Sequence, residues 1–400
     1  MARILFAWEC GGGLGHLTLY RELIDQLIGD EHEVIFATRS LSSAVKVFGE
    51  RAVTLVQAPL RMENLKEGVP SPRSYLHVLK NQGFADPEGL LGRFKAWLAL
   101  YEMWQPDLII SDHSPTAVFT AQHYPGAKLV MSGNGFMVPP DQHPFQAFPI
   151  APHFTREVLL EEEQRFLDQH INPLMQAMGG SYYDRLCDTF KTDARWLCQF
   201  RETDHYPNRE AANYLGTGYS PVGESPIWPT GKGGKIFAYL KPHKDLEELL
   251  DLIRQLGLPT LIKGDQLPAS IERQFTGPTI KFADKLQDMI EVANHCDLGI
   301  TNGNVNATTQ FLLAGKPVLM IPLHIEQLIS SKAIERIGGG IAVDYLQKQP
   351  FSYPTALAEL MATGNRYRQA AQDYAKAHRD YQATQMTDYM YADVNRLLDS

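Results

Sequence analysis

The chain has 400 residues, 44% hydrophobic and 21% charged, enough for two domains that each bury a core. Its net charge of −9 excludes the basic face that nucleic acid requires, and no apolar run approaches the roughly 20 residues of a membrane span. Cys10, Cys187, Cys198 and Cys296 lie far apart without a Cys-x-x-Cys spacing and read as reduced, packed thiols; with no apolar leader before the first glycine turn, a cytoplasmic chain is expected.

Arg3 to Trp8 reads as a buried strand, followed by Gly11-Gly-Gly-Leu-Gly15-His16 and a helix running to Leu27. His32 to Ala37 is the next strand and completes a βαβ opening; Val53 to Val56, Leu108 to Ile110 and Lys128 to Met131 are further parallel strands. Tyr75 to Trp104 mixes aromatics with Lys80, Arg93 and Lys95 and reads as an amphipathic helix on the core, since an interfacial helix has a more strongly basic polar face. Pro139 to Pro149 is a proline- and aromatic-rich loop, and Glu157 to Gln169 and Tyr182 to Leu197 read as helices late in the first domain. Gly216 to Gly234, dense in Gly, Pro and Ser, reads as a linker.

Beyond it the plan restarts with a strand at Lys235 to Leu240, a helix from Asp245 to Leu256, and strands at Thr260 to Lys263 and around Thr279 to Phe282. Asp297 to Ile300 is a buried strand that stops at the polar turn Thr301-Asn-Gly-Asn-Val-Asn-Ala-Thr308. A helix then runs to Ala314-Gly-Lys-Pro317, and Val318 to Pro322 is the next strand. The tail from Tyr381 to Ser400 is helical in pattern. The expectation is an α/β chain with two doubly wound Rossmann-like domains, 1–215 and 235–380, joined by linker 216–234, with 381–400 crossing back to the first. Doubly wound domains bind ligands at the C-terminal ends of their strands, here facing a central cleft.

Two places carry chemistry. The turn after Thr301 opens a helix, and unpaired N–H groups with the positive end of the dipole make such a turn an anion site suited to a diphosphate. Asn304 and Asn306 lie in that turn, where Asn tolerates unusual dihedrals. The other place is the N-terminal glycine turn. A dinucleotide fingerprint needs a third glycine where His16 stands and an acidic ribose partner after the second strand, where Phe36-Ala-Thr-Arg39-Ser40 has none; an NADP reading would recruit Arg39.

The segment Thr301 to Gln327 resembles the donor-binding signature of GT-B fold glycosyltransferases, in particular the UDP-glycosyltransferase superfamily of bacterial type. That pattern runs His-x-Gly-x-x-Ser/Thr-x-x-Glu, Gly-x-Pro, Pro-x-x-x-Asp-Gln. Gly315, Pro317, Pro322 and Gln327 match it. Asn302 stands for the histidine, Ala307 for the phosphate-binding hydroxyl residue, Gln310 for the ribose-binding Glu and Glu326 for the sugar-binding Asp. Thr308, next to Ala307, is the candidate for the missing hydroxyl, and Gly303 and Gln287 (near the family's nucleobase position) complete the implied donor set with Gly15.

The resemblance implies the GT-B architecture and an inverting sugar transfer from a UDP- or dTDP-sugar, most readily a UDP-sugar, to a small-molecule or lipid/glycan acceptor. It calls for no cofactor and no metal, because a helix dipole and hydroxyls neutralise the leaving diphosphate. It also implies that His16 is the general base, since family members carry Gly-His after the first strand, and that Asp112 is its dyad partner. Imidazole is basic enough near neutral pH to take a hydroxyl proton, and a carboxylate on the other ring nitrogen fixes the tautomer. Glu9, on the first strand, is the second candidate base. Three rivals share these features: a sugar-nucleotide epimerase of the same fold, an NADP oxidoreductase and a non-catalytic sugar-nucleotide binder.

Overall fold

The computed structural model describes residues 1–400 except 63–67, 152–153, 211, 219–222 and 348–349. The chain divides into two units, one made of 1–201, 205–220 and 383–400, the other of 202–204 and 221–382. Part of the expected linker, 219–222, lies outside the described residues.

The first unit is built on a parallel six-stranded sheet of β1 (Arg3–Trp8), β2 (Glu33–Thr38), β3 (Val53–Gln57), β4 (Leu108–Asp112), β5 (Lys128–Gly133) and β6 (Ala194–Leu197). Their order across the sheet is β3-β2-β1-β4-β5-β6. Ile4 to Trp8 are buried throughout, as expected for an inner strand covered by helices on both faces. Leu23, Ile24 and Leu27 of the helix Arg21–Gly29 pack on Ile4, Phe6 and Val34, and so do Met386, Met390, Val394 and Leu397 of the helix Thr384–Leu398. The tail thus supplies part of the first unit's core, and Trp196 Nε1 donates to the buried Asp393 at 2.8 Å.

The second unit repeats the plan with β7 (Ile236–Leu240), β8 (Thr260–Gly264), β9 (Ile280–Phe282), β10 (Leu298–Thr301), β11 (Val318–Met320) and β12 (Gly340–Ala342). The order β12-β11-β10-β7-β8-β9 is the same winding as in the first sheet. The helix Leu246–Leu256 buries Leu249, Leu250 and Ile253, keeps Glu247 and Glu248 at its positive end, and stops at Gly257 in the left-handed conformation. In each sheet the winding reverses beside the first strand, between β1 and β4 and between β7 and β10. Ligands of doubly wound sheets bind at that reversal.

Several expectations are corrected. Tyr182 to Leu197 is a short 3-10 turn, Leu186–Phe190, followed by β6, because Lys191-Thr-Asp193 interrupts the helix and Trp196 pairs with β5. Tyr75 to Trp104 is two helices, Tyr75–Asn81 and Pro87–Trp104, parted at Gly83 with φ of 79°. The first helix likewise breaks, into Gly15–Thr18 and Arg21–Gly29. Helix Arg156–Phe166 runs on through a π turn to Ala177. Among the described residues, no helix is long and apolar enough to cross a membrane. The four cysteines are buried and free.

Candidate functional site

Trp8 and Asp112 are register partners at the ends of β1 and β4, the reversal point of the first sheet. Beyond β1 the chain is tied to the end of β4 by Cys10 N–H donating to His113 O at 3.0 Å. It then turns through Gly11 (φ 81°) and Gly13 (φ 91°) into the short helix that carries His16. This path brings His16 Nδ1 to 3.1 Å from both Asp112 oxygens. An ionised carboxylate only accepts, so Nδ1 carries the proton and the Nε2 lone pair faces the glycine turn. A Cβ on Gly11 would stand 2.9 Å from Nε2 and 3.2 Å from Nδ1 of His113, so the turn beside the two imidazoles calls for a bare glycine. The imidazole stacks on Trp8, centroids 5.0 Å apart and planes 20° apart. Gly15 is exposed, with nothing within 4 Å of the position of an added Cβ.

Glu9 does not share this setting. It is 7% exposed and accepts from Trp97 Nε1 at 2.9 Å and Thr116 N–H at 2.6 Å, and its burial lifts the carboxyl to about 7. Alternation along β1 turns it away from His16, and its geometry is that of a core carboxyl holding the start of the helix Pro115–Ala121. Arg39, which an NADP reading needs, donates to Gly11 O and braces the glycine turn.

The polar turn sits at the reversal point of the second sheet. Gly303 adopts φ of 75°, and Asn304 caps the helix Val305–Leu313 by accepting from Ala307 N–H at 2.9 Å. That leaves the N–H groups of Val305 and Asn306 at the helix end without intrahelical acceptors. Asn306 and Ala307 are half-buried on this first turn. Thr308 is different from what the sequence suggested. Its side chain is fully buried and its hydroxyl lies 2.9 Å from Thr301 Oγ1, which accepts from Gly303 N–H at 3.1 Å. The two threonines brace the turn from behind and present no hydroxyl to a ligand.

Asn302 is also buried, and its Nδ2 donates to Ile321 O at 3.1 Å, joining the ends of β10 and β11. Gln310 is 8% exposed on the same helix. Glu326 is half-buried, its carboxylate 3.7 Å from the exposed His324. Gln327 turns inward and accepts from Leu323 N–H at 2.9 Å, just ahead of its own helix. Gln287 curls back, donating to Lys285 O at 3.1 Å, while its backbone pairs with Glu224. Both glutamine side chains are buried.

Lys241 escaped the sequence reading. It follows β7 directly, the strand that pairs with β10. Its Nζ lies 3.0 Å from Asp265, which also accepts from Tyr239 Oη at 3.0 Å. A lysine just past a strand that flanks a glycine turn was the available signal. Among the described residues no group of three or more His, Cys, Asp or Glu is placed to hold a metal ion.

No family model matches the chain, and no curated protein sequence does. Solved structures match over almost all of it. The glycosyltransferase VinC in complex with dTDP superposes with a TM-score of 0.69 at 15% identity, covering 99% of both chains. The spinosyn rhamnosyltransferase SpnG gives 0.65 at 14%, covering 100% of both. SnogD from Streptomyces nogalater, another glycosyltransferase, gives 0.58 at 15%, covering 98% of this chain and 99% of its own. Two parallel six-stranded sheets of Rossmann winding and these likenesses establish the GT-B fold.

Proposed function

We propose that the chain transfers a sugar, with inversion, from a nucleoside diphosphate sugar to a hydroxyl of a small-molecule acceptor. The observation that carries this is the imidazole of His16, held by Nδ1 on Asp112 with Nε2 directed toward the glycine turn. As the acceptor oxygen attacks the anomeric carbon, Nε2 takes its proton and the bond from that carbon to the diphosphate breaks on the opposite side. Asp112 stabilises the imidazolium until the proton passes to water.

The departing diphosphate is assigned to the N–H groups of Val305 and Asn306 and the dipole of their helix, with Lys241 as the nearby cation. Gln310 is assigned to the ribose and Glu326 to the sugar, with Ala307 at the phosphate turn. The family likeness of the signature supports this, as do the neighbours: VinC was solved with dTDP, and SpnG with thymidine diphosphate and with spinosyn aglycone.

Thermal melting with UDP, dTDP and NADPH tests the reading. A ligand at 100 times its Kd raises stability by about 2.7 kcal/mol. UDP or dTDP is expected to raise the melting temperature; a rise with NADPH alone overturns the proposal.

A further inference from the structure

Three arginines stand around the stretch that leads from β1 to His16. Arg39, just past β2, donates to Gly11 O. Arg93, on the helix Pro87–Trp104, is 7% exposed, and its Nη2 donates to the carbonyl oxygens of Gln82 at 3.2 Å and Gly83 at 3.0 Å. The side chain of Gln82 in turn accepts from Cys10 Sγ at 3.1 Å, which ties this corner to the glycine turn. Arg61, a few residues past β3, is exposed. A Cβ on Gly83 would stand 2.8 Å from Arg61 Cδ and 3.1 Å from Arg93 Nη2, so the two side chains meet over one bare glycine. All of this lies at the C-terminal ends of the first sheet's strands, where doubly wound sheets take their ligands.

The charges do not balance. Among the described residues neither Arg61 nor Arg93 forms an ion pair, and the buried Arg93 Nε has no hydrogen-bond partner. The acids that face Arg93 are Glu9 and Asp86, and both are engaged elsewhere. Glu9 gives its oxygens to Trp97 and Thr116, and burial lifts its carboxyl to about 7, so near neutral pH it is a half-strength counter-charge. Asp86 accepts from Gly89 N–H at 3.2 Å and caps its helix. Burial pulls the Arg93 guanidinium below its ordinary range. Keeping a desolvated cation beside a second one is costly unless an anion joins them. In a chain of net charge −9, this corner is a local excess of positive charge.

We propose that Arg61 and Arg93 form a carboxylate subsite for the acceptor, which makes the acceptor a hydroxy acid. A carboxylate is planar and takes two parallel N–H bonds from a guanidinium, a match that a hydroxyl or an amide cannot make. Arg93 is the fixed member, held by its two carbonyl acceptors. Arg61, exposed, is the adjustable one. The acceptor role rests on the reading of His16 given above; the carboxylate subsite itself does not.

The test is calorimetric titration of the full chain, without sugar donor, using para-hydroxybenzoate, its amide and phenyl phosphate, with the arginine Nε–Hε signals followed by NMR. The acid is expected to bind saturably, about tenfold or more tighter than the amide, and to move the Arg93 Nε–Hε signal. Arg61→Gln is expected to weaken the acid about tenfold, and Arg93→Lys, which keeps the charge and loses the fork, to weaken it as well. Lys244→Gln removes one exposed charge from the second unit and is expected to leave the titration unmoved. Acid and amide binding alike, or an Arg61→Gln chain within about twofold of wild type, overturns the subsite. Phenyl phosphate outbinding the acid overturns the carboxylate assignment. Melting with UDP and dTDP separates the two readings. Acid bound through Arg61 with no nucleotide shift keeps the subsite and removes sugar transfer; a nucleotide shift without acid binding removes the subsite alone.

Discussion

Gly303→Ala is the sharpest perturbation of the glycine turn after β10. Gly303 sits at φ of 75°, a conformation that costs an alanine roughly 1–2 kcal/mol. The added Cβ would stand 2.1 Å from Ser331 Oγ and 3.0 Å from the Gln327 carbonyl oxygen. The hydroxyl is able to rotate, but the carbonyl belongs to the helix Ile325–Arg336 and yields only if the backbone shifts, an overpacking cost of about 1–3 kcal/mol. Against this, alanine restricts the unfolded chain and returns about 0.4–1 kcal/mol. The net is a destabilisation of about 2–4 kcal/mol. For a unit of 150–250 residues each kcal/mol lowers Tm by roughly 2–4 °C, so a loss of about 4–15 °C is expected in calorimetry. The double variant Gly303→Ala with Ser331→Ala removes the shortest contact and should recover about half, leaving the dihedral and carbonyl terms. A Gly303→Ala protein that melts with wild type, or a double variant no better than the single, refutes the packing described for this turn.

Three further outcomes are expected. His16→Ala loses on the order of 10²–10⁴ in turnover while nucleotide affinity by titration calorimetry stays nearly intact; wild-type turnover in the variant places the base elsewhere. Gln310 brings no charge to a ribose hydroxyl, so dTDP binds within about tenfold of UDP, or 1.4 kcal/mol, and Gln310→Glu widens the gap in favour of UDP; unchanged discrimination removes Gln310 from the ribose. Glu163 is 1% exposed, and burial lifts its carboxyl from 4.5 to about 7. A raised folded pKa means stability present at low pH and lost as pH climbs from 4.5 through 7, on the order of 3 kcal/mol. Glu163→Gln keeps an acceptor for Phe145 N–H and should flatten that loss in urea melts at pH 5 and 8; a variant with the same pH dependence as wild type contradicts it.

The elements legible in the sequence are those punctuated locally. The turn at Thr301–Thr308 announces itself through a strand, a glycine, an Asn cap and a Gly–Pro stop, and each signal lies within a few residues of the next. The pairing of His16 with Asp112 was legible only through the family resemblance, which carries Gly-His after the first strand and an aspartate at a later strand end. The misread features depend on partners that no local pattern encodes. Thr308 turned inward because Thr301 waits seven residues back on another element. β6 is four residues long with half-buried and buried positions mixed, so it carries no period of two; it exists because β5 offers it an edge. Lys241 was invisible for the same reason, since its partner Asp265 stands just past β8, the strand beside its own.

The helix Thr384–Leu398 has a consequence for how the chain is made. Trp196 and its partner Asp393 are separated by 197 positions. At about 5–20 residues per second, a ribosome delivers the second roughly 10–40 s after the first. Throughout that interval the early sheet waits with an apolar notch where Met386, Met390, Val394 and Leu397 will lie, while every strand of the later sheet is synthesised from start to finish. The part of the protein born first is therefore completed last, and its nascent surface offers chaperones a hydrophobic target that disappears only when this helix docks.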